Sequence, residues 1–346
     1  MTLEELKIRR LTNQHLLQPA DKITVAQTLC GLQAQFLSNA VHALKIRCEN
    51  LEMDALQDGL VKNWTLRGTI HVFAEKDLPL FLHGADRENR WDRPSWWNQR
   101  ADWSLSPERQ GYFSSVMLRA LGEKPRSREE LKALCRENGM TEPEENSMFH
   151  PWGGGIRELC EKGLAHYAVR EEKIFCLTPP FTPVPEEEAR LILARRYFEH
   201  YGPATIHDAM YFFHAPAKAV KSWLQRLPVQ EAVLDGRAYY WVENGRDFSG
   251  HMPKCLFLAG FDPLLLGYEK KESLFLQPAH LRRVFNLAGI VMPTVLLRGQ
   301  IVGKWKKKNR KLEVTLFASV SLADRKGIEA KAAALWKDLE SVSFVE

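Results

Sequence analysis

The chain has 346 residues, of which 45% are hydrophobic, 26% charged and 10% aromatic. This composition excludes a disordered, a collagen-like or a small disulfide-stapled protein, and the length predicts roughly two to four structural modules. Lys and Arg number 48 against 43 Asp and Glu, and the resulting net charge of +5 is compatible with a polyanionic partner without requiring one.

The sequence carries no pattern for a membrane span, an export signal or a metal site. No window reaches about 18 consecutive apolar residues, and the start MTLEELKIRR has no apolar stretch of the signal-peptide type. The six cysteines are dispersed and form no CxxC pair, so neither a zinc ribbon nor a thioredoxin-like site is predicted. We therefore expect a cytoplasmic chain without a membrane partner.

Residues 1–122 are predicted to form the first module. Helices are predicted to start at Thr2 and at Thr24, and LKIRC (44–48) is predicted as a strand. A further helix is predicted over 107–121, because its apolar residues recur at helical spacing.

The segment WTLRGTIHVF (64–73) alternates apolar and polar residues, which predicts a single strand. One face of this strand is then buried, and the other presents Arg67, Thr69 and His71 outward. A cation, a hydroxyl and an imidazole on one face suit contacts with phosphate and sugar. A solvated surface strand explains the same pattern equally well.

Residues 123–184 and 185–248 share a predicted plan of short helices followed by a hairpin. In the first of these modules a capping box at Ser127 starts a helix. In the second, three helices precede a hairpin whose turn is Asp235-Gly236, and a capping box of Thr205 and Asp208 starts the middle helix. The first of these helices is predicted to bury one face, made of Ala189, Leu193, Ala194, Tyr197, Phe198 and Tyr201. Short helices followed by a β-hairpin are typical of a winged-helix module.

Residues 249–346 differ, because short strand-like runs such as CLFL and KLEVTLF dominate and one helix with an apolar face follows from about Asp324. The predicted fold class is therefore α+β, with three tandem winged-helix modules and a β-rich C-terminal domain. Residues 1–122 are the loosest match to the winged-helix plan.

The most unusual local feature is GLQAQF (31–36), in which Gln33 and Gln35 alternate with apolar residues. In an extended chain both amides project to the same side, where they can hold a water and a nucleobase or sugar. The alternative is that one glutamine caps a helix end while the other is solvated. Taken alone, the residues favour this second interpretation.

Two further segments are candidates for nucleic-acid contact. The run KWKKKNRK (304–311) suits backbone phosphates, although a solvated edge strand carries such charges equally often. The tryptophan-rich segment 91–103 can stack on bases, but such a cluster more often closes a loop onto a domain core.

The remaining polar motifs are weaker. His251 precedes a strand-like run and can contact phosphate, although a histidine at such a position is usually structural. Asp262-Pro263 is predicted as a turn. The sequence has no P-loop, GxGxxG, HExxH or GxSxG, which argues against a nucleotide hydrolase, a Rossmann dehydrogenase, a zincin and an α/β-hydrolase.

Five short motifs, taken together, resemble the AlkZ/YcaQ family of bacterial alkylpurine DNA glycosylases in order and spacing. They are LQAQ (32–35), RGTIH (67–71), HMP (251–253), FDPLLLGY (261–268) and IVGKW (301–305). The resemblance extends over nearly the whole chain. It implies a C-shaped protein of three tandem winged-helix units and a β-rich part, with DNA held in the concave channel.

The resemblance also implies a catalytic Gln-Φ-Gln motif, which Gln33, Ala34 and Gln35 provide here. A related branch has Asp at the last position, so this chain looks more like the AlkZ branch, which is linked to interstrand crosslinks and bulky adducts. The residues we expect to contact DNA are Arg67, Thr69, His71, His251, Lys304, Lys306, Lys307 and Lys308.

The expected activity is that of a monofunctional glycosylase acting on double-stranded DNA that contains N7-alkylguanine, N3-alkyladenine or interstrand crosslinks. We expect a monomer in the bacterial cytoplasm, associated with the nucleoid and without a cofactor or metal. The alternative is a non-enzymatic tandem winged-helix regulator or scaffold, which would dimerise to read two half-sites and has no use for paired glutamines.

Overall fold

A computed structural model describes residues 1–82, 102–151 and 153–345. Its α-helices are α1 Leu3–Asn13, α2 Lys22–Thr28, α3 Leu37–Lys45, α4 Leu78–Phe81, α5 Pro107–Glu123, α6 Arg128–Glu137, α7 Glu142–Met148, α8 Gly155–Glu161, α9 Glu186–His200, α10 Ile206–Phe213, α11 Ala217–Arg226, α12 Pro263–Leu266, α13 Leu281–Val284 and α14 Leu322–Leu335. Its strands are β1 Leu32–Gln33, β2 Leu60–Trp64, β3 Ile70–Ala74, β4 Arg126–Ser127, β5 Ala165–Tyr167, β6 Ile174–Leu177, β7 Val229–Leu234, β8 Arg237–Val242, β9 Cys255–Leu258, β10 Thr294–Leu297, β11 Gln300–Lys308, β12 Lys311–Leu316 and β13 Ser341–Val345.

The chain divides into two compact units. Unit 1 comprises Met1–Gln33, Ser38–Leu51 and Ala194–Glu346, and unit 2 comprises Ala34–Leu37 and Glu52–Leu193. Helices and sheets occur in both units, which confirms the α+β class. The number of winged-helix modules, their C-shaped arrangement and the boundaries at 122, 184 and 248 remain predictions.

The sheet of unit 2 includes the strand order β3-β2-β5-β6-β4. The capping box predicted at Ser127 is present, because its hydroxyl accepts from the N–H of Glu130 and the Glu130 carboxylate accepts from the N–H of Ser127. The strands β5 and β6 form the predicted hairpin. Helices α5, α6 and α8 pack their apolar faces against these strands. Core residues of this unit are Phe113, Met117, Leu131, Cys135, Cys160, Tyr167 and Phe175.

The segment predicted as one long strand at 64–73 is a hairpin. Strand β2 ends at Trp64, a 3₁₀ turn follows, and β3 begins at Ile70. Within the turn Arg67 and Gly68 adopt positive φ angles of 59° and 63°, which reverses the chain.

The predicted outward position of His71 is therefore wrong. Side-chain alternation does not continue across a turn, and the imidazole is only 3% exposed. Arg67 and Thr69, which belong to the turn, are half-buried.

Helix α9 of the third predicted module forms as expected. Its buried side chains, with that of Tyr201 just beyond its end, are the six predicted ones: Ala189, Leu193, Ala194, Tyr197, Phe198 and Tyr201. The capping box of Thr205 and Asp208 starts α10, as predicted. Strands β7 and β8 pair as the predicted hairpin around Asp235 and Gly236, which both have positive φ.

The C-terminal part of unit 1 is a sheet with the order β13-β12-β11-β10-β9. Neighbouring strands are antiparallel except β12 and β13, which are parallel. Helix α14 packs Ile328 and Ala332 onto one face of this sheet, against Phe257 and Val314. The predicted β-rich region with a late helix is thus present, and the edge strand β13 is an addition that its short sequence did not reveal.

Two predictions in the first module are corrected. LKIRC (44–48) is not a strand, because α3 continues to Lys45 and only Cys48 makes an isolated bridge, to Ala20. Helix α2 is capped by Asp21, whose carboxylate accepts two backbone N–H bonds, so the helix begins before Thr24. Over the described ranges, no helix is long and apolar enough to cross a membrane.

Candidate functional site

The glutamine segment begins where α2 ends. Cys30 and Gly31 adopt left-handed φ angles of 55° and 84°, and the Gly31 N–H donates to Ala26 O over 2.7 Å. This is the usual way of closing a helix with a left-handed residue, which glycine adopts without strain. The chain then leaves the helix as the short strand β1.

Burial alternates along the next four residues. Leu32 and Ala34 are 1% and 4% exposed, whereas Gln33 is half-buried and Gln35 is exposed. The Ala34 N–H donates to Ile70 O over 2.7 Å, as in a paired extended chain. This agrees with the predicted alternation, in which the apolar side chains point inward and the amides do not. The boundary between the two units falls between Gln33 and Ala34.

An exposed aromatic side chain follows the glutamines. Phe36 is 50% exposed, although large apolar side chains are usually buried. It is the last residue of GLQAQF, and no role was predicted for it.

The imidazole of His71 lies inside the β2–β3 hairpin of unit 2. Its Nδ1 is 2.9 Å from Thr65 Oγ1 and 3.1 Å from Thr69 O, so it bonds to both sides of the turn. Burial, with a contribution from the charge of Arg67, lowers the pKa of His71 to about 3. The ring is therefore neutral at physiological pH and braces the turn that carries Arg67.

The same hairpin is fastened to α8. The Asn63 side-chain amide donates to Cys160 O over 2.8 Å and to Ala165 O over 3.2 Å. The Arg157 guanidinium lies 3.5 Å from the centre of the Trp64 ring, a cation–π contact. These contacts hold β2 in place within unit 2.

The β11–β12 hairpin of unit 1 presents lysines on one face. Lys304 is half-buried, and Lys306 and Lys308 are exposed. Between them the Trp305 ring turns to the opposite face, where its N–H donates to Leu258 O over 2.9 Å. β11 lies between β10 and β12, but β10 pairs with it only as far as Lys304, and the described partner of Lys306–Lys308 is β12 alone. Phosphate contact and a solvated edge therefore both remain predictions for this run.

Lys307 is different from its neighbours, because alternation places it on the Trp305 side of the strand. Its Nζ donates to Asn309 O over 2.5 Å and lies 3.3 Å from the Asp338 carboxylate. The structure therefore separates Lys307 from the other three lysines predicted to bind DNA.

His251 is exposed, whereas Met252 beside it is half-buried. Met252 lines a cavity of about 580 Å³ in unit 1 together with Lys7, Lys254 and Arg298. The lining also includes the carboxylate of Glu4, and Arg298 forms an ion pair with Asp324 at 2.6 Å.

Asp262 is the polar residue whose role the sequence analysis missed. Instead of a simple turn it caps α12 through the N–H of Leu264 at 2.9 Å, and it forms an ion pair with Arg47 at 2.6 Å. Both side chains are 0% exposed, so removing either one leaves a buried charge without its partner. An Asp directly before Pro263 at a helix start was the available signal.

The tryptophan-rich segment is described only at its end. Trp103 packs against the core of unit 2 and donates to Leu105 O over 2.8 Å, as expected for a loop closed onto a core. Trp91, Trp96 and Trp97 lie outside the described residues. Among the side chains that the structure describes, no group of three or more His, Cys, Asp or Glu could hold a metal ion.

Comparisons with known proteins agree with the motifs. The sequence model of a family described as "DNA glycosylase AlkZ-like" matches residues 26–337. The chain is 27% identical over 345 residues to the "Interstrand DNA cross-link repair glycosylase" of Streptomyces sahachiroi, covering 91% of this chain and 90% of that protein. It is similar in fold to the solved structure of Streptomyces sahachiroi DNA glycosylase AlkZ, with a TM-score of 0.80 and 22% identity over the whole length of both chains.

Proposed function

Because the chain belongs to the AlkZ-like DNA glycosylase family, whose members hydrolyse N-glycosyl bonds, we propose that it releases cationic alkylated purines from double-stranded DNA. Its substrates are N7-alkylguanine and N3-alkyladenine. The observation that carries this proposal is the Gln33-Ala34-Gln35 segment, in which Gln33 ends a short strand, Ala34 is buried and Gln35 is exposed.

The chemistry explains why amides suffice where a carboxylate is more familiar. A purine alkylated at N7 or N3 carries a positive charge and is already a good leaving group. Its departure leaves an oxocarbenium-like sugar, and water must then add at C1′. A glutamine is not a strong base, but its carbonyl oxygen can accept a hydrogen bond from that water and stabilise the developing positive charge.

Within this scheme Gln35 positions the water, and Gln33 orients the water or contacts the lesion nucleotide. Unmodified purines leave too slowly for such mild assistance, so selectivity follows from the reactivity of the substrate. Neither amide titrates, so the rate of base release should not follow an ionisation of the glutamines between about pH 6 and 8.5.

Interstrand crosslinks are included among the substrates. The Streptomyces sahachiroi relative is named for crosslink repair. A crosslinked base cannot rotate fully into a closed pocket while it stays tethered to the opposite strand. Since Gln35 is exposed, it can be reached by such a base without full rotation.

Cationic side chains in each unit bind the DNA backbone. Lys304, Lys306 and Lys308 share one face of β11, and the exposed His251 is the residue before Met252. Arg67, in the turn of β2–β3, contacts a phosphate, and Thr69 contacts phosphate or sugar. His71 stabilises the turn instead of contacting DNA, and this assignment is supported by its burial and by its lowered pKa of about 3.

The reaction ends at an abasic site and needs no cofactor. The residues that flank the glutamine pair, Leu32, Ala34 and Phe36, carry no amine that could form a Schiff base with the sugar. The enzyme is monofunctional and acts as a monomer, with its winged-helix modules arranged in a C around the duplex.

Base release from defined duplexes tests this proposal. One duplex carries a single N7-methylguanine and a second carries an N7-guanine interstrand crosslink, and mild alkali converts abasic sites to strand breaks. We expect cleavage with the wild-type chain and none with Gln35→Ala, whose DNA affinity is retained. Gln57→Ala, another exposed glutamine of unit 2, is the matched control and should behave as wild type.

Tight binding of both duplexes without base release would contradict the proposal and favour the non-enzymatic regulator. Cleavage by Gln35→Ala at the wild-type rate would leave the activity intact and overturn the role of Gln35.

A further inference from the structure

The backbone that leads into Gln33 is held by a buried tyrosine of the same unit. The Tyr201 hydroxyl donates to Leu29 O over 2.9 Å, and both residues are buried. Leu29 is the C-terminal cap of α2 and lies four positions before Gln33. The carbonyls in the last turn of a helix lack partners within the helix, so this hydroxyl satisfies one of them.

A second contact holds the same helix end. The Thr28 hydroxyl donates to Thr24 O over 2.8 Å, so it accepts from His15 Nε2 at 2.8 Å. Arg246 Nη2 donates to His15 Nδ1 over 2.9 Å, which requires the same neutral tautomer. Burial and the charge of Arg246 lower the pKa of His15 to about 3, in keeping with a neutral ring.

Tyr201 is in turn held by the end of the FDPLLLGY motif. The Tyr268 hydroxyl donates to Tyr201 O over 2.9 Å and accepts from the Gln14 side-chain amide over 2.9 Å. Gly267 touches the ring so closely that a Cβ there would lie 2.3 Å from Tyr201 Cδ1. The motif thus fixes both the backbone and the ring of Tyr201.

Residues 30–32, between Leu29 and Gln33, offer little freedom to absorb a shift. Cys30, Gly31 and Leu32 are all buried, and the first two are held in left-handed conformations by bonds to Gln27 and Ala26. A movement of the Leu29 carbonyl is therefore passed along the chain to Gln33.

We propose that Tyr201, through its hydroxyl, is a positioning residue for Gln33, and that Tyr268 acts through Tyr201. The inference rests on the proposed function, since it matters only if Gln33 takes part in base release. Without the hydroxyl, Leu29 O is a buried acceptor that lacks this donor, and the helix end relaxes to find another. A displacement of a catalytic group well below 1 Å already lowers the rate, because the reacting geometry is narrow.

Tyr197 provides a matched control on the same helix. It is 0% exposed, its hydroxyl donates to Gly267 O over 2.8 Å, and its ring stacks on Tyr201 with centroids 5.1 Å apart. Its hydroxyl bond ends at Gly267 and not at α2. The two Tyr→Phe changes therefore each remove one buried hydroxyl, and only that of Tyr201 touches the segment before Gln33.

The experiment compares wild type, Tyr201→Phe, Tyr197→Phe and Tyr268→Phe on the N7-methylguanine duplex under single-turnover conditions with enzyme in excess. For Tyr201→Phe we expect the rate constant of base release to fall by about tenfold or more while the affinity for DNA changes by less than twofold. Tyr197→Phe should lose a similar amount of thermal stability but keep its rate within about twofold, and Tyr268→Phe should lie between the two.

Equal rates for Tyr201→Phe and Tyr197→Phe would overturn the inference, because a merely structural role affects both alike. The inference would also be overturned if Tyr201→Phe lost affinity for DNA but kept the wild-type rate constant of base release. Base release by the wild-type chain and by Gln33→Ala distinguishes failure of the proposed function from failure of this inference. No release by wild type removes the proposed function and this inference together, whereas release that depends on Gln33 with equal tyrosine variants removes the inference alone.

Discussion

The β2–β3 and β11–β12 hairpins both carry polar side chains that were predicted to contact DNA, but the two hairpins differ in which of these side chains they bury. In β11–β12, Trp305 is anchored toward the core while Lys306 and Lys308 remain exposed. In β2–β3, His71 is buried and neutral, and it braces the turn that holds Arg67. One hairpin thus leaves charged side chains exposed, whereas the other uses a polar side chain to stabilise its own turn.

The difference comes from where the chain turns. From Gly303 to Lys308, β11 pairs with β12 without a shift of register, so alternation separates its faces over this stretch. The 64–73 segment starts at the last residue of β2 and turns before β3 begins at Ile70. On β3 the four residues from His71 to Ala74 are all buried, so exposure does not alternate there. A polar residue in an alternating pattern therefore marks a surface only when the strand is continuous.

The largest effect is expected for His71→Ala in the β2–β3 hairpin. The variant loses a buried ring and its bonds to Thr65 and Thr69, so the free energy of unfolding should fall by about 2–3 kcal/mol. His71→Asn should lose less, since its amide can replace the Nδ1 contact. Urea unfolding checks both variants. A stable His71→Ala chain that no longer binds DNA would instead place the imidazole at the ligand.

The free energy of unfolding should depend on pH because the imidazoles of His15 and His71 are buried. The pKa values of His15 and His71 are both lowered to about 3 by burial, against about 6.5 in the unfolded chain. The unfolded state therefore binds more protons below pH 6.5, so stability is lost as the pH falls from there toward 3. Each histidine contributes a slope that approaches about 1.4 kcal/mol per pH unit.

Between about pH 6.5 and 5 the ordinary carboxylates remain largely ionised in both states, so this window reports mainly on histidines. His71→Asn should reduce the slope of unfolding free energy against pH there. An unchanged slope would show that His71 is protonated in the folded protein at these pH values.

A smaller effect is expected for Lys306→Ala in the β11–β12 hairpin. Loss of one phosphate contact should raise the dissociation constant for duplex DNA by about threefold to tenfold at about 0.1 M salt, and the slope of log affinity against log salt should fall by about 1. Stability should change by less than about 0.5 kcal/mol, because the side chain is exposed. Titrations at several salt concentrations measure both quantities.

The smallest effect is expected for Lys307→Ala. This variant removes the same charge from the same strand, but Lys307 faces the other side and is bound to Asn309 and Asp338. Its affinity for DNA should stay within about twofold of wild type. If Lys306→Ala and Lys307→Ala weaken binding equally, the affinity for DNA depends on net charge and not on which face of β11 carries the lysine.

Local signals predicted much of the fold. Capping boxes at Ser127 and Thr205, the apolar faces of α5 and α9, and the Asp235-Gly236 turn all occur where the sequence placed them. Each of these depends on residues within a few positions of one another, so a single stretch of sequence contains the whole reason for the structure.

The contacts that the sequence did not predict join residues that are distant in the chain. Asp262 is 215 positions from Arg47, and Tyr201 is 172 positions from Leu29, so nothing near either residue revealed the contact. The glutamine pair was visible as a pattern, and its catalytic interpretation came from resemblance. Its support from Tyr201 required the three-dimensional structure.

We propose that the glutamines carry the chemistry and that the lysines bind the DNA, and one paired measurement tests this division. Single-turnover base release and DNA affinity are measured for Gln35→Ala and for the double variant Lys306→Ala/Lys308→Ala on the same N7-methylguanine duplex. We predict that Gln35→Ala loses at least about a hundredfold in rate with affinity within threefold, whereas the lysine variant loses affinity and salt dependence with the saturated rate preserved. A Gln35 variant that keeps its rate, or a lysine variant that loses its rate at saturation, would contradict the account.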